Sequence, residues 1–139
     1  MKTILIALLF IAQAATAQIA HIDYKTPTRI GQFKRAMKGE IAWLEKTDTA
    51  YTLTFQNGDF SDLIDVQHVS FTGDATAADF YSTLKDCFNK PKGTNTVIVL
   101  GISTVMISTD KQMGVKMIRV RSRGGFWATQ GNIDKLFGK

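Results

Sequence analysis

Alternation of apolar and polar residues with a period of two runs through much of residues 40–123, and one segment with a helical period interrupts it. A period of two places successive side chains on opposite faces of a strand, so it predicts strands with one buried face. The strands follow one another instead of alternating with helices, which favours antiparallel pairing. We therefore expect a single α+β domain with two layers and a mainly antiparallel sheet.

The alternation predicts five strands, at residues 40–46, 50–56, 66–72, 95–109 and 115–123. Turn-forming residues at 47–49 join the first two strands into a hairpin. The last two strands form the longest hairpin of the chain. Gly101, inside the fourth strand, indicates a bulge or a close crossing.

Two segments change to the helical period of 3.6 residues. The apolar residues of the first share one helical side: Ala77, Phe80, Tyr81, Leu84, Cys87 and Phe88. The second covers residues 129–137 and is expected to bury Ile133, Leu136 and Phe137. The spacing of Trp43 and Trp127 indicates core packing as well. The predicted order of elements is β-β-β-α-β-β-α.

The first seventeen residues have the pattern of a secretory signal peptide. Lys2 precedes an apolar run at residues 4–12, and small residues end in an A-x-A cleavage pattern at 15–17. The run is shorter than the roughly 20 residues that span a hydrocarbon core. Cleavage after Ala17 and export, to a periplasm or as a secreted protein, are expected. A retained anchor and an N-terminal strand or helix are the alternatives.

Residues 18–39 are read as a basic N-terminal arm that precedes a globular domain at residues 40–139. After Asp23 the arm contains basic residues and no acid, among them Lys34, Arg35 and Lys38. Pro27 disfavours a helix for the residue before it, so the arm is expected to begin extended. The pattern leaves open whether its remainder is a strand or a helix.

Several classes of functional site are disfavoured by simple counts. The chain has 1 Cys and 2 His, which excludes an intrachain disulfide framework and argues against a multi-histidine metal site. Its glycines match neither a P-loop nor a dinucleotide fingerprint, so no cofactor is predicted. A calcium loop starting at Asn57 would have Asp62 in place of glycine and His68 in place of glutamate. No metal site is therefore predicted, and Cys87 is assigned to the core.

Three arginines give the strongest surface signal. Arg119, Arg121 and Arg123 are spaced by two, so they project from one face of the predicted strand. Their guanidinium groups suit phosphate, sulfate or carboxylate groups of a partner. Lys34, Arg35 and Lys38 are expected to extend this basic surface. The alternative is a solvated face or a charged edge that discourages aggregation.

These residues favour a small, exported, non-enzymatic interaction module. Its expected partner is an anionic glycan, an acidic protein or a membrane surface, whereas nucleic acid is disfavoured by export and by the lack of an aromatic-and-basic signature. One alternative is a structural or inhibitory protein that acts by strand addition at a sheet edge. Another is a small hydrolase with a site near His68, and Ser103 resembles only part of a nucleophile elbow. The oligomeric state stays open.

Overall fold

A computed structural model describes residues 24–35, 39–58 and 65–139. The predicted signal peptide at 1–17 lies outside these residues. Within them the chain forms eight strands and two helices: β1 (Thr28–Arg35), β2 (Gly39–Thr47), β3 (Ala50–Gln56), β4 (Val66–Thr72), α1 (Asp74–Cys87), β5 (Asn95–Leu100), β6 (Ser103–Gln112), β7 (Val115–Arg121), β8 (Gly125–Ala128) and α2 (Gln130–Leu136). No helix among the described residues is long and apolar enough to cross a bilayer.

The order of elements repeats, with four strands followed by one helix in each half. Strands β1 to β4 form the first sheet and β5 to β8 the second, each in sequence order. Neighbouring strands within both sheets are antiparallel. The predicted α+β class and antiparallel pairing are confirmed. Three strands are additional: β1 lies within the predicted arm, β8 was not foreseen, and the predicted strand at 95–109 is divided into two.

Gly101 is the reason for this division. Its φ of +58° allows a two-residue turn with Ile102, and the turn reverses the chain between β5 and β6. A Cβ atom at Gly101 would lie 2.6 Å from the backbone oxygen of Ser70 in β4. The glycine therefore permits a turn that was not predicted, and it permits the close approach to β4, which is one of the two alternatives expected at this position.

The period of two assigns alternate residues to the inner face of each sheet. In the first sheet, Leu44, Leu53 and Val69 lie in one cross-strand row, and each is about 1% exposed. In the second sheet, Ile107, Val120 and Phe126 form a comparable buried row. The two inner faces contribute to one hydrophobic core.

The two sheets contact each other directly through Phe126. Its ring centroid lies 5.1 Å from that of Phe55 and 5.8 Å from that of Phe33. Backbone polar groups join the sheets at the same end, where the amide of Gly58 donates to the oxygen of Gly125 at 2.7 Å. The buried Asn57 side chain accepts from the Gly125 amide at 3.1 Å. The contact thus combines aromatic packing with satisfied polar groups.

Both helices complete this core. Helix α1 packs against β4 and β6, and α2 packs against β1, β2 and β8. The ring of Phe80 meets Phe71 and Phe137 edge-on, with centroids 5.7 Å apart in both pairs. The predicted burial of the helical residues is confirmed for Ala77, Phe80, Leu84, Cys87, Phe88, Ile133, Leu136 and Phe137.

The two tryptophans do not belong to the core, contrary to the prediction. Trp43 and Trp127 are half-buried and lie on the outer faces of their sheets. Neighbouring residues of a strand face opposite sides, so the inward-facing Phe126 places Trp127 outward. Each indole is covered by a guanidinium, that of Arg29 at 5.3 Å and that of Arg119 at 5.7 Å. These tryptophans stabilise the outer faces through cation–π contacts.

A polar cluster connects the two helices. One oxygen of Asp134 accepts hydrogen bonds from the Lys85 ammonium at 2.7 Å and from the Tyr81 hydroxyl at 2.8 Å. Both bonds lower the pKa of the Asp134 carboxyl below its ordinary value, and the bond from Lys85 has the larger effect. The same carboxylate raises the pKa of the Tyr81 hydroxyl.

We expect Gly31→Ala to destabilise the protein by about 1–3 kcal/mol, the usual cost of overpacking. A Cβ at this position would overlap the backbone oxygen of Lys135 and lie 2.5 Å from that of Leu136. Gly131→Ala is the matched control, because a Cβ there meets no described atom within 4 Å and alanine favours the helix. Urea unfolding should show opposite shifts in midpoint, and equal shifts would contradict this account of β1 packing on α2.

Asp134→Asn should lower stability at neutral pH and matter much less in acid. A carboxyl whose pKa is lowered by folding adds stability above its unfolded pKa of about 3.9 and loses this contribution as the pH falls through the folded value. The difference in unfolding midpoint between variant and wild type should therefore shrink between pH 7 and acidic solution. Asp79→Asn, at an exposed carboxylate of α1, is the control. A pH-independent difference for Asp134→Asn would refute the charge-based role.

Candidate functional site

An open groove of about 440 Å³ lies on the surface where three separate parts of the chain meet. It has the size typical of ligand sites. The residues that line it come from the start of β4, from the turn between β5 and β6, and from the segment after β7: Val66, Gln67, His68, Ile102, Ser103, Ser122 and Arg123.

The crossing at Gly101 positions these parts. It holds the β5–β6 turn, and with it Ser103, against β4, which carries His68. On the other side of the turn, β6 pairs with β7, so that Arg121 lies opposite Met106. Arg123 follows β7 by two residues and so reaches the groove.

The His68 ring is hydrogen-bonded to a buried hydroxyl on the neighbouring strand. Its Nδ1 atom lies 3.0 Å from the Oγ1 atom of Thr54, which is opposite it on β3 and 2% exposed. Because Nδ1 is engaged with Thr54, Nε2 is the ring nitrogen that remains for a ligand. A hydroxyl can either donate or accept, so this bond is compatible with both neutral tautomers.

The groove carries a positive charge. Arg123 is exposed, and no carboxylate is found among the described residues that line the groove. Asp65 precedes the lining residues, and its oxygens accept hydrogen bonds from Asn57 at 3.0 Å and from Gln67 at 2.7 Å. No ion pair within the described part of the chain includes Arg121 or Arg123. Among the described residues, an anion in the groove would therefore meet Arg123 without a carboxylate that already pairs with it.

The three arginines of the predicted stripe have different environments. Arg119 and Arg121 lie on the outer face of the second sheet, in the rows of Trp127 and Gly125. The guanidinium of Arg119 packs over Trp127, so this residue has a structural role. Arg123 lies beyond the last residue of β7. Arg119 and Arg121 pair with β6 on one side and with β8 on the other, so these two arginines do not protect a sheet edge.

The basic residues of the predicted arm lie elsewhere. Lys34 and Arg35 are exposed on β1, an outer strand of the first sheet, where Arg35 pairs with Gly39. Neither is among the described residues that line the groove. Lys38 lies outside the described residues.

Sequence reasoning considered His68 and Ser103 separately, and the structure places them in one groove with Arg123. The sequence pattern did not identify Ser122. It also did not identify Thr54, the residue that positions His68. Alternation assigns Thr54 to an outer face, but only the register of β3 against β4 shows which side chain it meets. No local pattern distinguishes Ser122 from other serines.

The loop that begins at Asn57, where the sequence analysis found no calcium motif, forms hydrogen bonds within the protein. Asn57 donates to Asp65 at 3.0 Å, whereas Asp59, Ser61 and Asp62 lie outside the described residues. Over the described ranges, no group of three or more His, Cys, Asp or Glu residues could hold a metal ion.

A second depression, of about 320 Å³, lies between the first sheet and α1. Its walls are largely apolar and include Tyr51 and Tyr81. One oxygen of Asp74 at its rim accepts from the Lys46 ammonium and from the Tyr51 hydroxyl, both at 2.7 Å. Both bonds lower the pKa of the Asp74 carboxyl, and the bond from Lys46 has the larger effect. The Asp74 carboxylate lines this depression, whereas the described lining of the groove at Arg123 contains no carboxylate, so the groove is the better candidate for an anion.

A scan against protein-family models and searches of curated proteins and of solved structures find no match to this chain. The groove and its residues are therefore the basis for assigning a function.

Thr54→Val should release the His68 ring while keeping the shape of the buried side chain. We expect a loss of about 1 kcal/mol in stability, typical of one hydrogen bond, and a change in the balance of His68 tautomers. Imidazole nitrogen chemical shifts would report that balance. Thr52→Val is the control on the same face of β3, where the hydroxyl is 3.5 Å from that of Ser70. Unchanged His68 shifts in Thr54→Val would show that Thr54 does not position the ring.

Proposed function

We propose that this protein is an exported interaction module that binds an anionic group of its partner in the groove at Arg123. The observation that carries the proposal is the composition of the groove lining. Arg123 shares the groove with His68, Ser103 and Ser122, which offer hydrogen-bond donors, and the described lining contains no carboxylate.

The chemistry of these groups suits phosphate, sulfate or carboxylate. A guanidinium donates two parallel hydrogen bonds to such groups, and bonds to an ionised acceptor are about twice as strong as neutral ones. The hydroxyls of Ser103 and Ser122 and the Nε2 atom of His68 add shorter-range contacts. Arg121, on the adjacent outer face, attracts the rest of a polyanion through its charge.

An anionic glycan is the partner that this lining favours. Apart from Arg123, the polar groups of the groove are hydroxyl, amide and imidazole groups, which bond readily to sugar hydroxyls. Export, which the leader sequence predicts, would bring the protein into contact with such polymers. An acidic protein and an anionic membrane surface are the alternatives that the experiment below distinguishes.

Hydrolysis is a second candidate because His68 and two serines line the same groove. In a serine hydrolase, the base is commonly oriented by an acid. Here the Nδ1 atom of His68 is bonded to the hydroxyl of Thr54 instead. Binding is therefore the function that this geometry supports better.

The double variant Arg121→Gln/Arg123→Gln should weaken binding to a sulfated polysaccharide by roughly ten- to a hundredfold, since each 1.4 kcal/mol is a factor of ten. Wild-type binding should weaken as salt is added. Titration calorimetry at two salt concentrations would measure both effects. Lys111→Gln/Lys135→Gln is the matched control, because it removes the same charge from exposed positions away from the groove lining.

Parallel titrations with a neutral polysaccharide, poly-glutamate and vesicles of anionic phospholipid identify the class of partner. Preference for the sulfated polysaccharide supports an anionic glycan, whereas preference for poly-glutamate or vesicles assigns the groove to an acidic protein or a membrane. Equal losses in the two double variants would mean that net charge, and not the groove, governs binding. Absence of binding to every anionic probe would overturn the proposal.

A further inference from the structure

The second sheet has an outer strand, β5, that differs from the other outer strands of this fold. Strand β1 carries Arg29, Lys34 and Arg35 and has two irregularities in its register. Strand β8 has only 4 residues, and β4 meets the turn at Gly101 through Ser70. Charges, bulges, short length and covering segments are the usual means of protecting sheet edges.

Strand β5 lacks the charges that protect β1. Its sequence, NTVIVL, contains no charged residue and no proline. Val97 is 61% exposed and Val99 is 72% exposed, and both lie on the outer face of the sheet. An exposed, uncharged, apolar outer strand is the kind of surface that pairs with another strand.

The register also shows which backbone groups of β5 are available. In a two-residue hairpin the residues that flank the turn, Leu100 and Ser103, form a hydrogen-bonded pair, and such pairs recur at every second residue. The bond from the Thr109 amide to the Thr94 oxygen, at 2.9 Å, agrees with this parity. The amide and carbonyl groups of Val97 and Val99 therefore point away from β6, towards the edge where no described strand pairs with β5.

We propose that β5 pairs with β5 of a second copy of this chain, antiparallel about a two-fold axis at Val97. Val97 then lies opposite the partner's Val97, and Asn95 opposite the partner's Val99. The two second sheets become one continuous sheet.

The absence of charge on β5 favours a second copy over an acidic strand. A two-fold axis places residues near it opposite their own symmetry mates, so a charge at Val97 would face a like charge, which is unfavourable. An apolar residue there avoids this repulsion and covers apolar surface from both copies. An acidic strand would find no cation on β5 to pair with.

This pairing is independent of the proposed anion site. The arginines Arg121 and Arg123 belong to β7 and to the segment after it, and β6 separates β7 from β5. A protein that is monomeric could still bind an anion in the groove, and a protein that binds no anion could still dimerise through β5.

Sedimentation equilibrium of protein purified from cells that express the full chain tests the proposal. The wild type should show twice the mass of the chain, with dissociation on dilution. Val97→Lys should be monomeric because two like charges meet at the axis. Val97→Pro should also be monomeric, since it removes an amide that points to the edge away from β6 and none that bonds to β6.

Val115→Lys is the matched control, because Val115 is 51% exposed and lies on β7, which β6 separates from β5. It should remain dimeric. Circular dichroism and melting curves establish that each variant is folded, and Val97→Lys decides the question if the proline variant unfolds. A monomeric wild type at the highest soluble concentration, or a dimer that survives Val97→Lys, would overturn the proposal, as would pairing with other proteins only.

Discussion

The packing of Phe126 against Phe33 and Phe55 determines the arrangement of the whole molecule, because it brings the two sheets face to face. Truncation of a buried phenylalanine typically costs about 3–5 kcal/mol, a large part of the stability of a small domain. The hydrogen bond from the Gly58 amide to the Gly125 oxygen joins the backbones at the same end. Neither sheet could bury its apolar face without the other and the two helices.

This packing decides which residues are left for function. With both inner faces in the core, the outer faces carry the tryptophans and the arginines, and Arg119 is engaged by Trp127. The groove forms outside the core, where the Gly101 turn crosses β4 and the chain leaves β7. The proposed anion site and the proposed pairing of β5 therefore involve different parts of the surface.

Most of the fold could be predicted from the sequence because its signals are local. The helical period of α1 correctly identified Phe80, Leu84 and Cys87 as buried, and the hairpin of β2 and β3 lies where alternation predicts it. Strand β1 was left open because its edge pairing and the tight contact of Gly31 with α2 involve distant residues. The continuous β-branched run at 95–109 concealed a turn because Gly101 alone marks it.

The sequence by itself determined the buried faces of the two helices, the α+β class and the spacing of the arginines, because these follow from the residues along each element. Only the tertiary structure decided that His68, Ser103 and Arg123 share a groove. Their proximity results from strand register and from a crossing between the two sheets. Such contacts join residues far apart in the chain, and no local period specifies which partners meet.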